Sequence, residues 1–483
     1  MLTKVKLENF KSWEQSGELG LAPITGFFGT NSSGKTALLQ ALLLLKQTAE
    51  SVDRSRPLHL GDERSYVDLG TFHDVIFAHE EGRTLSLCLE WQLHHSLKIR
   101  LPDTRTSIEA ERLAFTTEIR GSEIEGMSVE AFSYDVFTRN QTLRFGMKRV
   151  SEQRGANRRS YDLISDGYEA KRTRGRPWKL PSPTKCYGFP DEVNTYYQNV
   201  SFLADFVLAF ERQMERLYYL GPLREYPKRI YVWSGEQPAG VGLRGELAVH
   251  ALLAADRKGI KVSTGYRKRR KTVLQRIAEW LKELGLIYSF DVRPLAEHRK
   301  EYEVRVRRHK NSPEVALTDV GFGVSQILPV LTLCYYAPEG STLLLEQPEI
   351  HLHPSVQAGL ADVFIDAVKT RKVQIIVESH SEHLLRRLQR RIAEEQIEAN
   401  QMALYFITCD ERGASHAQPL EINEYGYILN WPEGFFGDEM GELVAMADAA
   451  MRRQKEMVKR HQSGTPPTAI GGITDTPLKT TAS

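Results

Sequence analysis

The sequence predicts an α/β fold whose core is divided between two distant parts of the chain. Near the N-terminus, an apolar run from Ile24 to Phe28 leads through a glycine-rich loop into a helical pattern over Ala37 to Ala49. From Val324 to Thr408, helical patterns alternate with short apolar strand patterns. This alternation is typical of a parallel, doubly wound sheet. The fold is therefore expected to join an N-terminal strand to a C-terminal set of strands.

The first part of the chain also carries patterns of antiparallel β-structure. Apolar residues alternate with polar ones over Val5 to Phe10, Thr84 to Leu101 and Leu143 to Val150, which predicts strands. Residues 151–190 are rich in Arg, Lys, Gly, Ser and Pro, which predicts a loop or a mobile insertion. After this segment, the patterns predict helices at Asn199 to Leu217, Leu243 to Ala255 and Lys268 to Leu284, and strands at Ile287 to Val292 and Tyr302 to Arg307.

In the C-terminal part, the elements are predicted individually. Helices are expected from Val324, over Val356 to Val368 and over His383 to Glu395, and strands over Thr342 to Leu345, Val373 to Val377 and Ala403 to Thr408. A short strand, an aromatic segment and a helix from Glu439 to Arg460 follow. Residues after Gly464 have the composition of a disordered tail.

Composition and charge restrict the class of protein. The chain is 41% hydrophobic and 26% charged, as soluble globular proteins are, and its net charge of +2 favours neither nucleic acid nor membrane. Four cysteines without C-x-x-C spacing indicate thiols in a reducing compartment. No apolar run is long enough to span a membrane, and the first residues do not form a signal peptide. A cytoplasmic protein is therefore expected.

The glycine-rich loop Gly29-Thr-Asn-Ser-Ser-Gly-Lys-Thr36 matches the phosphate-loop pattern G-x-x-x-x-G-K-[ST]. Such a loop directs backbone N–H groups at phosphate oxygens, and the helix dipole adds positive potential. Lys35 can reach the β- and γ-phosphates, and the Thr36 hydroxyl can bind Mg²⁺. The alternative is a glycine turn before an ordinary helix. The nucleotide-binding candidates are Gly29, Asn31, Ser32, Ser33, Gly34, Lys35 and Thr36.

Polar residues at the ends of the later strands are the other candidates. The apolar strand from Thr342 ends at Glu346, which can hold the same Mg²⁺ as Thr36. His380 follows the next strand and can contact a γ-phosphate or an attacking water, although a histidine in this position is more often structural. Glycines precede the predicted helix near Ser325, which predicts either a second anion site or an ordinary capped helix. This segment contains Gly323, Ser325 and Gln326.

Together these motifs resemble a known family. ENFKSW, GTNSSGKT, GFGVSQILP, LLLEQPEIHLHP and ESHSEH are similar, in sequence and order, to the SMC-like branch of ABC ATPases, and within it to the OLD-type AAA proteins of bacteria and archaea. YLGPLREYPKR also resembles a segment of these proteins, and INEYGYILNWPEGFF resembles a C-terminal module of unknown function. The resemblance implies an ABC-type P-loop ATPase head with a split core, an antiparallel β portion and a largely helical insertion.

The resemblance also implies roles for the candidate residues. ATP and Mg²⁺ are the expected cofactors, with Thr36 and Glu346 as metal ligands. Gly323, Ser325 and Gln326 would form the signature that contacts nucleotide held by a second subunit, giving an ATP-sandwiched dimer or a higher homo-oligomer. His380 would be the switch histidine.

One position departs from the family pattern. Gln347 stands where a catalytic Glu usually follows the metal-binding acid. A glutamine can orient a water molecule but cannot take its proton. Either hydrolysis is slow, or Glu349 is the base. The sequence leaves both interpretations open.

The domain boundaries follow from the same comparison of motifs. The expected divisions are an N-terminal ATPase lobe (1–150), an insertion (151–314), a C-terminal ATPase lobe (315–412), a C-terminal module (413–463) and a disordered tail (464–483).

The expected function is that of an ATP-dependent sensor or scaffold for a separate effector, such as a nuclease or toxin, in antiphage defence. This expectation rests on a resemblance to the ATPase subunits of Septu-type systems, which are paired with a separate nuclease. The alternatives are a repair ATPase that acts on DNA ends and a non-hydrolysing scaffold. A metal hydrolase built on His351, His353 and the nearby acids is a weaker interpretation, because the phosphate loop explains those acids better. Three basic clusters could contact DNA or RNA: Arg158, Arg159, Lys171, Arg172, Arg174 and Arg176; Arg267 to Lys271; and Arg386, Arg387, Arg390 and Arg391.

Overall fold

The computed structural model describes residues 1–100, 107–122, 126–139, 141–150, 160–175, 179–263, 265, 269–432 and 445–455. The chain divides into two compact units, Met1–Pro432 and Glu433–Ser483. In the second unit, residues 445–455 are helical. The predicted tail and parts of the first two basic clusters lie outside the described residues. No helix in the described ranges is long and apolar enough to cross a membrane.

The secondary structure alternates between strands and helices along most of the chain. The strands β1 to β20 are, in order, Leu2–Phe10, Trp13–Gln15, Leu19–Gly20, Ile24–Gly29, Leu85–Arg100, Ser107–Ser122, Gly126–Thr138, Thr142–Arg149, Tyr161–Asp166, Leu217–Leu220, Tyr231–Val232, Lys261–Val262, Lys271–Thr272, Ser289–Pro294, Glu301–Arg307, Glu314–Ala316, Thr342–Glu346, Gln374–Glu378, Met402–Cys409 and Ser415–Pro419. The α-helices α1 to α9 are Lys35–Glu50, Phe72–Val75, Glu192–Tyr196, Leu203–Glu215, Ala248–Arg257, Val273–Glu283, Phe322–Tyr336, Pro354–Arg371 and Glu382–Ala393, and the 3-10 helices are Phe77–His79, Leu317–Asp319 and Ala399–Gln401.

A six-stranded sheet in the order β10-β17-β18-β4-β19-β20 forms the centre of the α/β core, and only β20 runs antiparallel to its neighbour. The N-terminal strand β4 lies between β18 and β19, so the predicted split core is confirmed. Alternate residues of these strands join different apolar clusters. Leu344 and Ile376 pack in the cluster that contains α1, whereas Leu343 and Ile375 pack in the cluster that contains α7 and α8. Burial on both faces explains why these strands are continuously apolar.

The second large sheet is antiparallel, with the order β2-β1-β5-β6-β7-β8-β9 and β3 paired to β1. It confirms the predicted antiparallel portion of the fold class. Its last strand corrects the prediction of an irregular segment over residues 151–190, because Tyr161–Asp166 pairs with β8 from Arg149↔Tyr161 to Arg144↔Asp166. The strand is short, and the basic residues around it obscure its pattern in the sequence.

The segment expected to be an insertion also supplies part of the central sheet. Leu217, predicted as the last residue of a helix, instead begins β10, which pairs in parallel with β17. Helix α4 ends before it, at Glu215. Residues 151–314 therefore contribute the edge strand beside Glu346 as well as the helices α3 to α6.

Candidate nucleotide-binding site

Two glycines of the phosphate loop are required by the backbone. Gly29 has φ 144° and lies so close to β19 that a Cβ would be 2.1 Å from the Ile407 carbonyl oxygen. Gly34 has φ 94°, and a Cβ there would be 2.1 Å from Ser415 Oγ. Other residues rarely adopt such conformations. These contacts allow the chain to turn from the end of β4 into the start of α1.

Lys35 and Thr36 occupy the first turn of α1. Lys35 is 3% exposed, and its Nζ donates to the carbonyl oxygens of Gly29 (3.1 Å) and Thr30 (2.5 Å). Burial lowers the pKa of Lys35, and the nearby Glu378 opposes this shift. The Thr36 hydroxyl donates to Glu378 Oε1 at 3.0 Å. The side chain that Thr36 contacts is therefore a glutamate the sequence analysis did not select.

The sheet register brings two carboxylates to the same edge. Glu346 at the end of β17 pairs with Glu378 at the end of β18, and Glu378 pairs with Phe27 of β4. Because parallel strands end together here, both acids lie beside the phosphate loop. Glu346 Oε2 accepts a hydrogen bond from the Tyr219 hydroxyl at 2.6 Å. Glu346 is thus held from the β10 side and Glu378 from the α1 side.

Burial raises the pKa of both acids. For Glu346, the Tyr219 hydrogen bond and the charge of Arg224 oppose the effect of burial. For Glu378, burial and the negative charge of Glu346 raise the pKa to about 7, against the Thr36 hydrogen bond and the charge of Lys35. A buried carboxylate beside a half-buried one, at the ends of neighbouring strands, favours protonation or a bound cation.

Gln347 and Glu349 have different positions. Gln347 adopts a left-handed backbone conformation (φ 42°), and its N–H donates to the Glu378 carbonyl oxygen at 2.9 Å. Glu349 is 6% exposed, and its Oε1 accepts the backbone N–H of His380 at 2.7 Å. A cavity of about 310 Å³ is lined by Lys11, Ser12, Asn31, Ser32, Ser33, Gly34, Lys35, Thr36, Ala37, Gln40, Gln347, Glu378 and His380. Gln347, but not Glu349, lines this cavity.

His380 follows β18 and lines the same cavity. Its side chain hydrogen-bonds to the Gly29 backbone, and its pKa is lowered by burial and by the charge of Lys35. The imidazole is therefore neutral at neutral pH and has one N–H donor. Such a group can contact a phosphate oxygen without adding charge.

The phosphate loop and the ends of β17 and β18 stand in one site, whereas Gly323, Ser325 and Gln326 do not line its cavity. Comparison with known proteins identifies the family. The sequence profile described as AAA ATPase domain matches residues 1–125 and 259–385, slightly more than half of the chain. The chain belongs to this AAA ATPase domain family. A second profile, described as a protein of unknown function, matches residues 397–446. No curated protein sequence matches the chain.

Solved structures with similarity to this AAA ATPase include three SMC head domains. An SMC head bound to the C-winged helix domain of ScpA aligns over 88% of this chain and 98% of its own, at 13% identity and a TM-score of 0.43. The SMC head domain from Thermotoga maritima aligns over 87% and 99%, at 14% identity and a TM-score of 0.37. An SMC head from Pyrococcus furiosus bound to the C-terminal domain of ScpA aligns over 87% and 96%, at 12% identity and a TM-score of 0.38.

The predicted signature segment forms the start of α7. Gly321 is the N-cap and Phe322 the first helical residue, so Ser325 lies in the first turn of α7, close to the N-cap. The Ser325 hydroxyl donates to the Phe322 carbonyl oxygen at 2.8 Å, and this side chain is 8% exposed. Gln326 is also buried, and Gly323 is half-buried. The exposed side chain at this helix end is Phe322, which packs edge-on against Tyr226 at 5.5 Å.

Sequence reasoning missed several residues that surround the loop. Glu378 stands in the sequence between an apolar strand and His380, but Glu346 is the only acid that the sequence pattern assigned to the metal. Arg224 lies in the YLGPLREYPKR segment. Burial lowers the pKa of Arg224 to about 10, and its Nε and Nη1 have no hydrogen-bond partner. The remaining missed residues are Lys11, Ser12, Gln40 and Tyr219, which contact the cavity or Glu346.

The weaker alternatives receive little geometric support. In the described part of the chain, one group of three or more potential ligands converges, and it consists of His73, Asp74 and His79. Among the described residues, the potential ligand atoms of His351, His353 and the nearby acids do not converge on one point in this way. The arginines of α9 are paired with acids: Arg386 with Glu382, Arg387 and Arg391 with Asp362, and Arg390 with Glu394.

We expect Glu378→Gln to stabilise the nucleotide-free AAA ATPase at alkaline pH. The folded pKa of Glu378 is about 7 and its ordinary value is 4.5, so the folded chain keeps a proton that the unfolded chain loses between these values. Stability therefore falls as pH rises from 4.5 to 7, and the deficit is complete above pH 7. Replacement by the neutral isostere should add roughly 2–3 kcal/mol at pH 8 and much less at pH 5. Urea unfolding at both pH values measures this, with exposed Glu411→Gln as the control; an equal gain at both pH values would contradict the prediction.

Proposed function

We propose that this AAA ATPase domain protein binds ATP with Mg²⁺ in the cavity beside the phosphate loop. The observation that carries the proposal is the convergence of Lys35, Thr36, Glu378 and Gln347 on that cavity, with Glu346 adjacent. The residues fit a divalent cation, since Glu378 Oε2 is buried and accepts no hydrogen bond of normal geometry, and the donors are hydroxyl and carboxylate oxygens. Bound Mg²⁺ would neutralise phosphate charge. Calorimetric titration with ATP tests the proposal.

We further propose that hydrolysis is slow. Gln347 occupies the cavity wall where a base is expected, and an amide cannot accept the proton of an attacking water. Glu349 is turned toward the His380 backbone, and its carboxylate lies outside the cavity lining. The geometry therefore supports Gln347 as the residue that faces the reacting phosphate and Glu349 as the residue that positions His380.

The ATP-bound state is proposed to be a dimer in which each signature segment covers the partner's nucleotide. The exposed ring of Phe322 lies between Tyr226 (5.5 Å) and His351 (6.5 Å), giving an aromatic surface at the start of α7. Gly321 and Gly323 flank this ring and leave the backbone accessible to a large ligand. We include in this proposal that the protein has an SMC-like architecture and that it can form homo-oligomers larger than a dimer.

The cellular role we propose is an ATP-loaded sensor or scaffold that controls a separate effector, such as a nuclease or toxin, in antiphage defence. Slow turnover supports it, because a long-lived ATP state can hold a partner. The free thiols Cys186 and Cys334 are buried, which fits a reducing cytoplasm. The alternative of a repair ATPase that acts directly on DNA ends is less favoured, since the α9 arginines already pair with acids.

Phe322→Asp should reduce ATP-dependent dimerisation while leaving ATP binding to the monomer. An aspartate at the first position of a helix is compatible with the helix dipole, so α7 is expected to form. Ser325 is a poorer target because it is buried, and a large replacement there would also disturb folding. Sedimentation velocity with and without ATP measures the result.

The matched control is Val52→Asp, which changes another exposed apolar residue, 96% exposed, outside α7. Wild type and this control should associate with ATP, and the Phe322 variant should need at least about tenfold more protein. If all three proteins dimerise equally, the surface around Phe322 is not the interface.

A further inference from the structure

We infer that Glu378 is a second carboxylate ligand of the nucleotide-bound cation, so that the cation is held by the pair Glu346 and Glu378. The inference rests on the proposed function, because it concerns the same ATP site. The sequence analysis assigned the metal to Thr36 and Glu346 alone. Three features of the fold support Glu378 as a further ligand.

The first feature is the strand order. Strand β18 lies between β17 and β4, so the residue that ends β18 is nearer in the sheet to the phosphate loop than the residue that ends β17. In register, Glu346 pairs with Glu378, and Glu378 pairs with Phe27. A cation in contact with Thr36 would therefore lie closer to Glu378 than to Glu346.

The second feature is the hydrogen bonding of the three candidate ligands. The Thr36 hydroxyl donates a hydrogen bond to Glu378 Oε1 at 3.0 Å, so the expected metal ligand on α1 contacts Glu378 directly. Glu346 instead accepts from Tyr219 on the opposite side, at 2.6 Å. Each carboxylate keeps lone pairs beyond these bonds, and two carboxylates with a hydroxyl match the oxygen ligands that Mg²⁺ prefers.

The third feature is an unpartnered atom. Glu378 is 1% exposed, and its Oε2 accepts no hydrogen bond of normal geometry, although the Gln347 side chain lies close enough to lower the pKa of this carboxyl. A buried acceptor without a partner is costly unless a ligand satisfies it. Glu378 also lines the cavity next to Lys35 and Thr36, so a ligand bound there can reach it. The nearest positive side chain, Lys35, is already held by the carbonyl oxygens of the loop.

With two carboxylates beside the phosphate loop, the affinity for ATP should depend strongly on the divalent cation. Without a divalent cation, two carboxylates beside the loop repel the phosphates, so ATP should bind weakly. With the cation, the same charges attract it and hold it against the phosphates. The dependence of ATP affinity on Mg²⁺ should therefore be steep in the wild type, and it should depend on Glu378.

The experiment compares the dissociation constant of ATP in excess Mg²⁺ with that in EDTA, measured by calorimetry on the full chain. In wild type, Mg²⁺ should strengthen binding by at least about a hundredfold, and in Glu378→Gln by less than about tenfold. In EDTA, Glu378→Gln should bind ATP at least as well as wild type, because a repelling charge is gone. Exposed Glu411→Gln should behave as wild type.

A direct readout uses Mn²⁺ as the probe cation. Electron paramagnetic resonance should show Mn²⁺ held with ATP on the protein in wild type, and mostly Mn²⁺–ATP tumbling freely in solution with Glu378→Gln at the same concentrations. Glu346→Gln should also release Mn²⁺, since both acids belong to the pair. Unfolding curves of each variant establish that it is folded before the comparison.

The outcomes separate this inference from the proposed function. If wild type does not bind ATP at all, the proposed function fails. If wild type binds ATP but Glu378→Gln keeps the full effect of Mg²⁺, the cation is held by Glu346 without Glu378, and the inference is overturned. Loss of ATP binding by Glu378→Gln in EDTA also overturns it, because Glu378 would then act by holding Thr36 and the loop.

Discussion

Replacement of Lys35 by Ala is expected to weaken ATP binding by at least about tenfold, or ~1.4 kcal/mol. The Lys35 ammonium group is fixed beside the cavity by the carbonyl oxygens of Gly29 and Thr30. Its positive charge is therefore oriented before the phosphates arrive, and little reorganisation opposes their contact. Calorimetry in excess Mg²⁺ measures the change.

Two further variants separate the loss of charge from other effects. Lys35→Met keeps the aliphatic chain, which is buried at the start of α1, and should lose as much affinity as the alanine variant. Lys369→Ala makes the same change at an exposed position of α8 and should bind like wild type. Unchanged affinity in both Lys35 variants, with intact unfolding curves, would remove the central claim of an ATP site at this loop.

The sequence predicted the parts of this site that depend on local patterns. The loop from Gly29 to Thr36 could be recognised because close backbone contacts demand glycine at fixed spacing. The strands that deliver Glu346 and His380 could be recognised because burial on both faces makes them continuously apolar. Both signals lie within a few residues of the feature that they predict.

The parts that the sequence did not predict depend on pairing between distant residues. The hydrogen bond from Thr36 to Glu378 joins residues 342 positions apart. It follows from the insertion of β18 between β17 and β4, and no local pattern encodes that strand order. The same reason explains why Leu217, the first residue of β10, was taken as the end of a helix: Leu217–Leu220 becomes a strand by pairing with β17. Tertiary contacts decided these assignments over local propensity.

The orientation of Glu349 was likewise beyond the sequence. Its spacing from Glu346 is compatible with a base, but the turn after β17 directs its carboxylate to the His380 N–H. Gln347 reaches the cavity from a left-handed backbone conformation, which a glutamine adopts only where surrounding contacts enforce it. Gln347 therefore lies at the cavity wall and Glu349 at the His380 backbone, whereas the sequence alone did not decide which of them sets the rate of hydrolysis.

Replacement of Gln347 by Glu is expected to accelerate ATP hydrolysis by roughly 10²–10⁴-fold, the usual contribution of a positioned general base. The new carboxylate would stand at the wall of the cavity, where it can accept the proton of a water that attacks the γ-phosphate. Wild type should hydrolyse ATP slowly because it lacks that base. Steady-state phosphate release by wild type, Gln347→Glu and Glu349→Gln measures the three rates.

The control variant is Glu349→Gln, whose side-chain oxygen can still accept the His380 N–H and so preserve the turn. Its rate should stay close to that of wild type. If Glu349 is instead the base, wild-type turnover is ordinary, Glu349→Gln abolishes it and Gln347→Glu changes little. Ordinary turnover that survives Glu349→Gln would contradict both the prediction of slow hydrolysis and the assignment of the base to Glu349. A slow wild type that Gln347→Glu accelerates would fit an ATPase that stays loaded with ATP and holds its effector until a trigger disturbs the dimer.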